Sequence, residues 1–218
     1  MFTTNAATFT TLFAGMTPLA KTVDQMLPIL RSGQLTIDAE ARTVTLNWTN
    51  RFIAIRRTVT IDGDSEMTSG KVNVPLDWVG EVVKTIKPLV KDHDRPITFT
   101  LEDDNEYIEV DFIKVDFWGG SMKSEVTPGD FPRLDSIIKG AFGSFSESAE
   151  TFSVNPQYLG LILKLAGKSP ISFLTPASLS KPTGFTYEAD NGVTTIGLIM
   201  PVRVAGSQGE SFWAGLAA

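Results

Sequence analysis

One order of elements recurs along this chain of 218 residues: a strand, a helix, then three strands. In the first pass Thr10–Gln25 reads as a helix, although Gly15 and Pro18 interrupt it. Leu35–Ile37, Thr43–Trp48 and Phe52–Ile61 follow as strands, their β-branched and aromatic residues alternating with polar ones. Gly33, Asp38-Ala39-Glu40 and Thr49-Asn50 supply the turns. The second pass has a strand at Lys71–Val74 and a helix at Leu76–Lys87. That helix sets Val79, Val82, Val83 and Ile86 on one face and Lys84 and Lys87 on the other, and Pro88 stops it. Strands Ile97–Leu101, Tyr107–Phe117 and Gly120–Val126 complete the pass. The third comprises Thr151–Val154, a helix at Pro156–Ala166, and strands Ile171–Leu174, Gly184–Ala189 and Val193–Val204. The fold class is therefore α+β, built from about three βαβββ units.

A unit of this kind cannot bury both its helix and its sheet face alone, so units must share a core in pairs. A third unit without a partner leaves an unpaired sheet edge, and association with another copy is the expected remedy.

Composition closes off other classes. With 42% hydrophobic residues the chain can bury a large core. No apolar stretch approaches the ~20 residues of a membrane span, and the start lacks the basic-then-apolar plan of a signal peptide. Cysteine is absent, which removes disulfides and thiolate metal sites and fits a cytoplasmic protein. The one histidine, His93, sits in the polar turn Lys91–Arg95 with no nucleophile in view and reads as a loop residue. The net charge is −6, and the imbalance lies wholly before residue 132: residues 132–218 carry 6 Lys+Arg against 6 Asp+Glu. Much of it comes from Glu102-Asp103-Asp104-Asn105-Glu106, Glu109, Asp111 and Asp116, which read as a hairpin turn and its solvated strand face rather than a metal site. Gly140–Gly143 lacks the Gly-Lys-Ser/Thr ending of a phosphate loop, and neither Gly-x-Ser-x-Gly nor His-Glu-x-x-His occurs. No catalytic residue, metal site or cofactor is expected, and the chain does not read as an enzyme. Trp48 and Trp78 read as core and so does Trp118; Trp213 is the exception.

Two short segments carry a resemblance. The last strand ends Leu198-Ile199-Met200-Pro201-Val202-Arg203-Val204, and Gly129-Asp130-Phe131-Pro132 precedes the third unit. Together with the βαβββ order they resemble the bacterial DNA sliding clamps, the β subunits of the replicative polymerase III. Such clamps are rings of these units paired into domains, helices lining the hole and antiparallel sheets outside. On that resemblance residues 1–131 form one complete clamp domain, 132–205 a shortened C-terminal module, and 206–218 a flexible apolar tail. Family subunits carry three full domains, whereas here Asp135–Glu150, rich in Gly and Ser, replaces half of the last one. The shortened plan points to a phage-encoded or mobile-element version.

The resemblance also implies a site. A clamp binds short peptides of polymerases, the clamp loader and repair proteins in a cleft beside its last domain. Here the walls are expected from Leu198, Ile199, Met200, Pro201, Val202 and Arg203, with Pro132, Ser136 and Ile137 from the Phe-Pro linker. Arg51 and Phe52 end the turn Asn47–Phe52, which departs from the family's Thr-Asp-Gly-His-Arg-Leu, and Leu30 is a further candidate. Thr175–Ser178 borders the cleft, and Ser180-Lys181-Pro182-Thr183 reads as an insertion. Such a cleft works by taking large apolar side chains out of water at ~25 cal/mol per Å².

Duplex DNA, bound without regard to sequence, is expected at lysines on or near helices: Lys21, Lys84, Lys87, Lys91, Lys139, Lys164 and Lys168. The implied function is a processivity factor that encircles or tracks DNA and tethers a polymerase; the alternative is a non-ring adaptor or decoy that binds the same peptides and regulates the replisome. A homo-oligomer, dimer or tetramer, is expected. The tail Ser211-Phe212-Trp213-Ala214-Gly215-Leu216 reads either as a frayed end or as an apolar element that enters a neighbour's cleft.

Overall fold

Asn5 starts the first helix in the chain: its side chain accepts a hydrogen bond from the Thr8 amide at 2.8 Å, capping α1 (Ala6–Phe13). Gly15, at φ +73°, then turns the chain into a short α2 (Met16–Ala20), where Pro18 is tolerated in the first turn because the missing N–H has no partner there anyway. The single helix expected over Thr10–Gln25 is thus two helices that begin earlier and stop at Ala20. Before them lies a strand the sequence pattern did not signal, β1 (Phe2–Asn5), whose Phe2 stacks on Phe99 with ring centroids 5.4 Å apart.

The computed structural model describes residues 1–61, 65–88, 95–102, 112–143, 153–176, 181–189 and 191–202. Lys91, His93, the acidic turn from Asp103 to Asp111, Ala177–Ser180, Arg203 and the tail 206–218 lie outside them. After α2 come a 3-10 turn at Pro28–Arg31, β2 (Ser32–Asp38), β3 (Thr43–Thr49), β4 (Ile53–Thr60), β5 (Gly70–Pro75) and α3 (Leu76–Ile86). Next are β6 (Pro96–Glu102), β7 (Phe112–Phe117), β8 (Gly120–Glu125) and α4 (Leu134–Phe142). The chain closes with α5 (Pro156–Ala166), β9 (Ser172–Leu174), β10 (Thr183–Glu188) and β11 (Thr194–Ile199). The strand expected over Thr151–Val154 survives among the described residues as one bridge, Val154 to Pro201. At the start of the Gly/Ser-rich stretch Asp135–Glu150 lies α4, a helix of nine residues that begins at Leu134.

All strand pairs are antiparallel, in two sheets: β1-β6-β7-β8, and β5-β2-β3-β4-β11-β10-β9. The first two units exchange their leading strands, β1 joining the sheet of β6–β8 and β5 that of β2–β4. The third unit adds its strands to the same larger sheet through β4 and β11, paired from Thr58↔Thr194 to Ile53↔Ile199. The orphan edge expected at this unit is therefore covered within the chain at β11, and the free edge passes to the three-residue β9.

The main core joins α1, α2, α3 and α5 to both sheets, with Phe2, Phe9, Phe13, Leu35, Trp48, Val79, Ile97, Ile162 and Phe185 all buried. Thr17 on α2 donates to the Leu76 carbonyl of α3 at 3.1 Å, and a Cβ at Gly80 would lie 2.4 Å from the Thr17 hydroxyl, so only glycine allows this approach. A smaller cluster, Ala54, Phe131, Leu134, Ile138 and Leu198, lies apart from it. Because neighbours along a strand point to opposite faces, Ile53, Ile55 and Ile199 in the main core put Ala54 and Leu198 on the other side of the sheet. So α4 packs on the face away from the other helices. None of the described helices is long and apolar enough to cross a membrane.

Candidate functional site

Arg57 fixes the joint between α1 and the third unit. Its guanidinium is 2% exposed and donates to the carbonyls of Thr11, Leu12 and Ala14 at 3.0, 3.2 and 2.6 Å, and to the Tyr187 hydroxyl at 3.0 Å. A cation is favoured there by the partial negative charge at the end of α1.

On the opposite face of β4 the turn Thr49–Ile53 is tied down by its own side chains. Asn50 Oδ1 accepts from the amides of Phe52 and Ile53 at 3.1 and 2.8 Å, while its amide group donates to Thr22 Oγ1 at 2.9 Å. Thr49 Oγ1 donates to the Ile53 carbonyl at 2.8 Å and accepts from the Arg51 amide at 3.1 Å. These bonds hold Arg51 at φ +77°, a conformation that costs a non-glycine residue on the order of 1–2 kcal/mol. The consequence is that Phe52 is thrust outward, half-exposed, with its ring stacked on Tyr158 of α5 at 5.6 Å. Strand β11 arrives beside it, and the Met200 amide donates to the Phe52 carbonyl at 2.8 Å.

Two further segments complete the walls. Trp48, fully buried, donates its indole N–H to the Leu30 carbonyl at 3.0 Å and so pins the 3-10 turn. Phe131, Leu134 and Ile138 seat α4 on Ala54 and Leu198, and Asp135 forms an ion pair with Arg56. Between these segments opens a mostly apolar cleft of about 410 Å³, lined by Leu27, Ile29, Leu30, Thr49, Arg51, Phe52, Ile53, Ala54, Pro132, Leu134, Ile137, Pro182, Leu198 and Met200. Phe52, Ile137 and Met200 keep 40–52% of their surface exposed, so the rim is apolar as well.

Of the residues named from sequence, the structure brings Leu30, Arg51, Phe52, Pro132, Ile137, Leu198 and Met200 to this cleft. It does not bring Ile199, which points through the sheet into the main core and is fully buried. Ser136 lies on α4 with its hydroxyl donated to the Arg133 carbonyl at 3.2 Å, away from the lining. Pro201 is bridged to Val154, and Val202 is exposed beyond it with its amide donated to the Ser153 carbonyl. Sequence reasoning passed over Leu27, Ile29, Thr49, Ile53, Ala54, Leu134 and Pro182, which the fold brings to the same cleft. The run Leu27-Pro28-Ile29-Leu30 was the available signal.

The lysines divide in the same way. Lys21 follows α2, Lys84 lies in the last turn of α3 and Lys87 follows it, and Lys164 lies in the last turn of α5 with Lys168 just beyond, all exposed at the C-terminal ends of helices of the main core. α2 packs against both α3 and α5. Lys84 is paired with Glu81 at 2.6 Å, which offsets part of its charge, whereas α5 carries no acidic residue. Lys139 rides on α4, on the far side of the sheet, because that helix docks at Ala54 and Leu198.

No protein-family model matches the chain, and no curated protein matches it in sequence. Solved structures do match its shape. The DNA polymerase sliding clamp of Bacillus subtilis superposes over 93% of this chain at 14% identity, with a TM-score of 0.66. The sliding clamp of Bartonella birtlesii, solved bound to griselimycin, gives 0.68 at 14% identity, and the DNA polymerase III β chain of Streptococcus pneumoniae 0.69 at 14%. The chain spans 64–66% of the length of these three. Its fold is that of the bacterial DNA sliding clamps.

Proposed function

We infer that this chain acts as a sliding-clamp-like processivity factor, which encircles or tracks duplex DNA with its helical face and tethers a polymerase, clamp loader or other replication protein through the cleft. The observation that carries the reading is the cleft itself: an apolar groove of about 410 Å³ assembled from five separated segments, on the sheet face opposite α2, α3 and α5, within a clamp fold. Extended peptides with large apolar side chains suit such a groove, since burying them supplies affinity without any chemical step.

The test is a labelled peptide with Gln followed by Leu and a Leu-Phe end, titrated by fluorescence anisotropy. It should bind the native chain and lose binding to Met200→Asp, which places a carboxylate in the apolar wall. Unchanged affinity in a folded Met200→Asp protein would remove the cleft from this role.

One observation favours the adaptor or decoy as a second reading. Because β11 is already paired with β4, the third unit does not need a second copy to cover that edge. Mass by light scattering separates the two. A dimer or tetramer, retained on circular but not on linear DNA, fits the ring; a monodisperse monomer at micromolar concentration fits the adaptor.

A further inference from the structure

We propose that β8 is a two-fold interface: it pairs antiparallel with β8 of a second copy of this chain, in the register that sets Ser124 opposite Ser124 of the other copy. This rests on the self-association that the ring reading requires and names a surface that supplies it, separate from the cleft. β8 is bonded on one side to β7, and among the described residues no strand pairs with its other side, so it ends the sheet β1-β6-β7-β8. Six residues long and free of proline, it is a better template for another chain than the three-residue β9. Lys123, a charge of the kind that guards many edges, is drawn back over its own sheet, its ammonium 2.9 Å from Glu102 and 4.0 Å from the Phe112 ring. On the other face Met122 and Val126 pack against the main core yet stay only half-buried, as apolar residues do where a sheet ends beside them. A sheet continued past β8 would cover both.

The sequence of the strand selects the register. For two copies to keep their helices on one side, the two-fold axis runs perpendicular to the sheet; facing residues then share a face, so one residue must face its own copy. Centring on Lys123 or on Glu125 sets like charges directly opposite, which is destabilising. Centring nearer Gly120 leaves Glu125 without a facing charge. Centring on Ser124 puts Lys123 of each copy opposite Glu125 of the other on the outer face, and Met122 opposite Val126 on the core face. Each of these pairs forms twice, so in this register the strand complements itself in charge and in apolar surface. The two four-stranded sheets become one continuous sheet.

The experiment uses the full chain, which has no cysteine of its own. Directly opposite residues of an antiparallel pair have Cα atoms about 4.5–5.5 Å apart, within the span of a disulfide. S124C oxidised by copper-phenanthroline in air should therefore give a covalent dimer, whereas in S121C the two thiols are displaced by roughly 20 Å along the strands and should not join. In light scattering over a range of concentrations, K123E and E125K should each raise the dissociation constant of the native assembly about tenfold, with folding checked by circular dichroism, and K123E/E125K together should restore it. That double variant still lacks the pairing of Lys123 with Glu102, so recovery of mass separates the contact between copies from the one within the chain. Affinity for the Gln-Leu…Leu-Phe peptide should be the same in all of them. If the native chain is an oligomer but S124C does not cross-link and K123E leaves its mass unchanged, the copies meet elsewhere, as at β9; the proposal is then overturned while the ring reading stands. Equal cross-linking of S121C and S124C, or no recovery in K123E/E125K, also overturns it. A native monomer overturns this interface and the ring together, and leaves the cleft to be judged by the peptide.

Discussion

Strands β4 and β11 serve two masters, one on each face. Toward the helices, Ile55 and Ile199 are sealed in a core together with Trp48, Phe185 and the Arg57 guanidinium. Away from them, Ala54 and Leu198 support α4 and floor a groove whose rim residues Phe52, Ile137 and Met200 stay half-open to water. The difference teaches that alternation along a strand divides labour: one residue holds the fold and the next is left available for a partner. Substitutions on the sealed face should therefore be read in stability, and those on the open face in binding.

The sharpest test of that division is Arg57→Ala. It removes a buried cation and strands the carbonyls of Thr11, Leu12 and Ala14 and the Tyr187 hydroxyl, at a cost of about 4 kcal/mol in urea unfolding. A loss under about 1 kcal/mol would break the comparison, since the joint would then not depend on that residue. Reversal of Lys84, Lys87, Lys164 and Lys168 to Glu comes next. It should weaken duplex association by roughly a hundredfold at low salt and flatten the salt slope by about 3–4, with peptide affinity unchanged. Equal retention of DNA by this protein would take those helices out of the account.

A residue that bridges the two faces gives a smaller effect. Trp48→Phe keeps the ring in the core but strands the Leu30 carbonyl, costing about 1–2 kcal/mol and loosening the turn that carries Leu27, Ile29 and Leu30. Peptide affinity should fall with it; a stability loss with intact binding would show that the turn holds without the indole. The smallest change is expected from Asp135→Asn. The Arg56–Asp135 pair is open to solvent on the acid's side, where such contacts contribute ~0–1 kcal/mol, so thermal unfolding should move by only a few degrees at most. A larger shift would mean that α4 is held by charge more than by Phe131, Leu134 and Ile138.

Much of the architecture was legible in local pattern. Helix α5 was read with its observed bounds because Asn155 caps it, Pro156 occupies its first position and Gly167 follows it. The α1–α2 break was blurred, since Asn5 as a cap and Gly15 at positive φ carry conformational information that periodicity does not. Helix α4 went unread because its core contacts, Ala54 and Leu198, lie far away in sequence, and the Gly and Ser residues around it obscured the helical spacing of Leu134, Ile138, Ala141 and Phe142. In the cleft, the resemblance named a run of consecutive residues from Leu198 to Arg203, but consecutive strand residues cannot share a face. That is why Leu198 lines the groove and Ile199 does not. Lys139 lies apart from Lys84 and Lys164 for a related reason: helical residence alone does not tell which side of a sheet a helix covers.

The pairing of β4 with β11 has a consequence for how this molecule comes into being. Its partners are 136 positions apart at Thr58↔Thr194 and 146 apart at Ile53↔Ile199. Emerging from the ribosome, Ile53–Thr60 must wait for most of the chain to be made before its second neighbour exists, its row of backbone amides and carbonyls open meanwhile to any passing strand. Assembly has to wait on synthesis at this seam, so nascent-chain aggregation and the slowest step of refolding are both expected to centre on it.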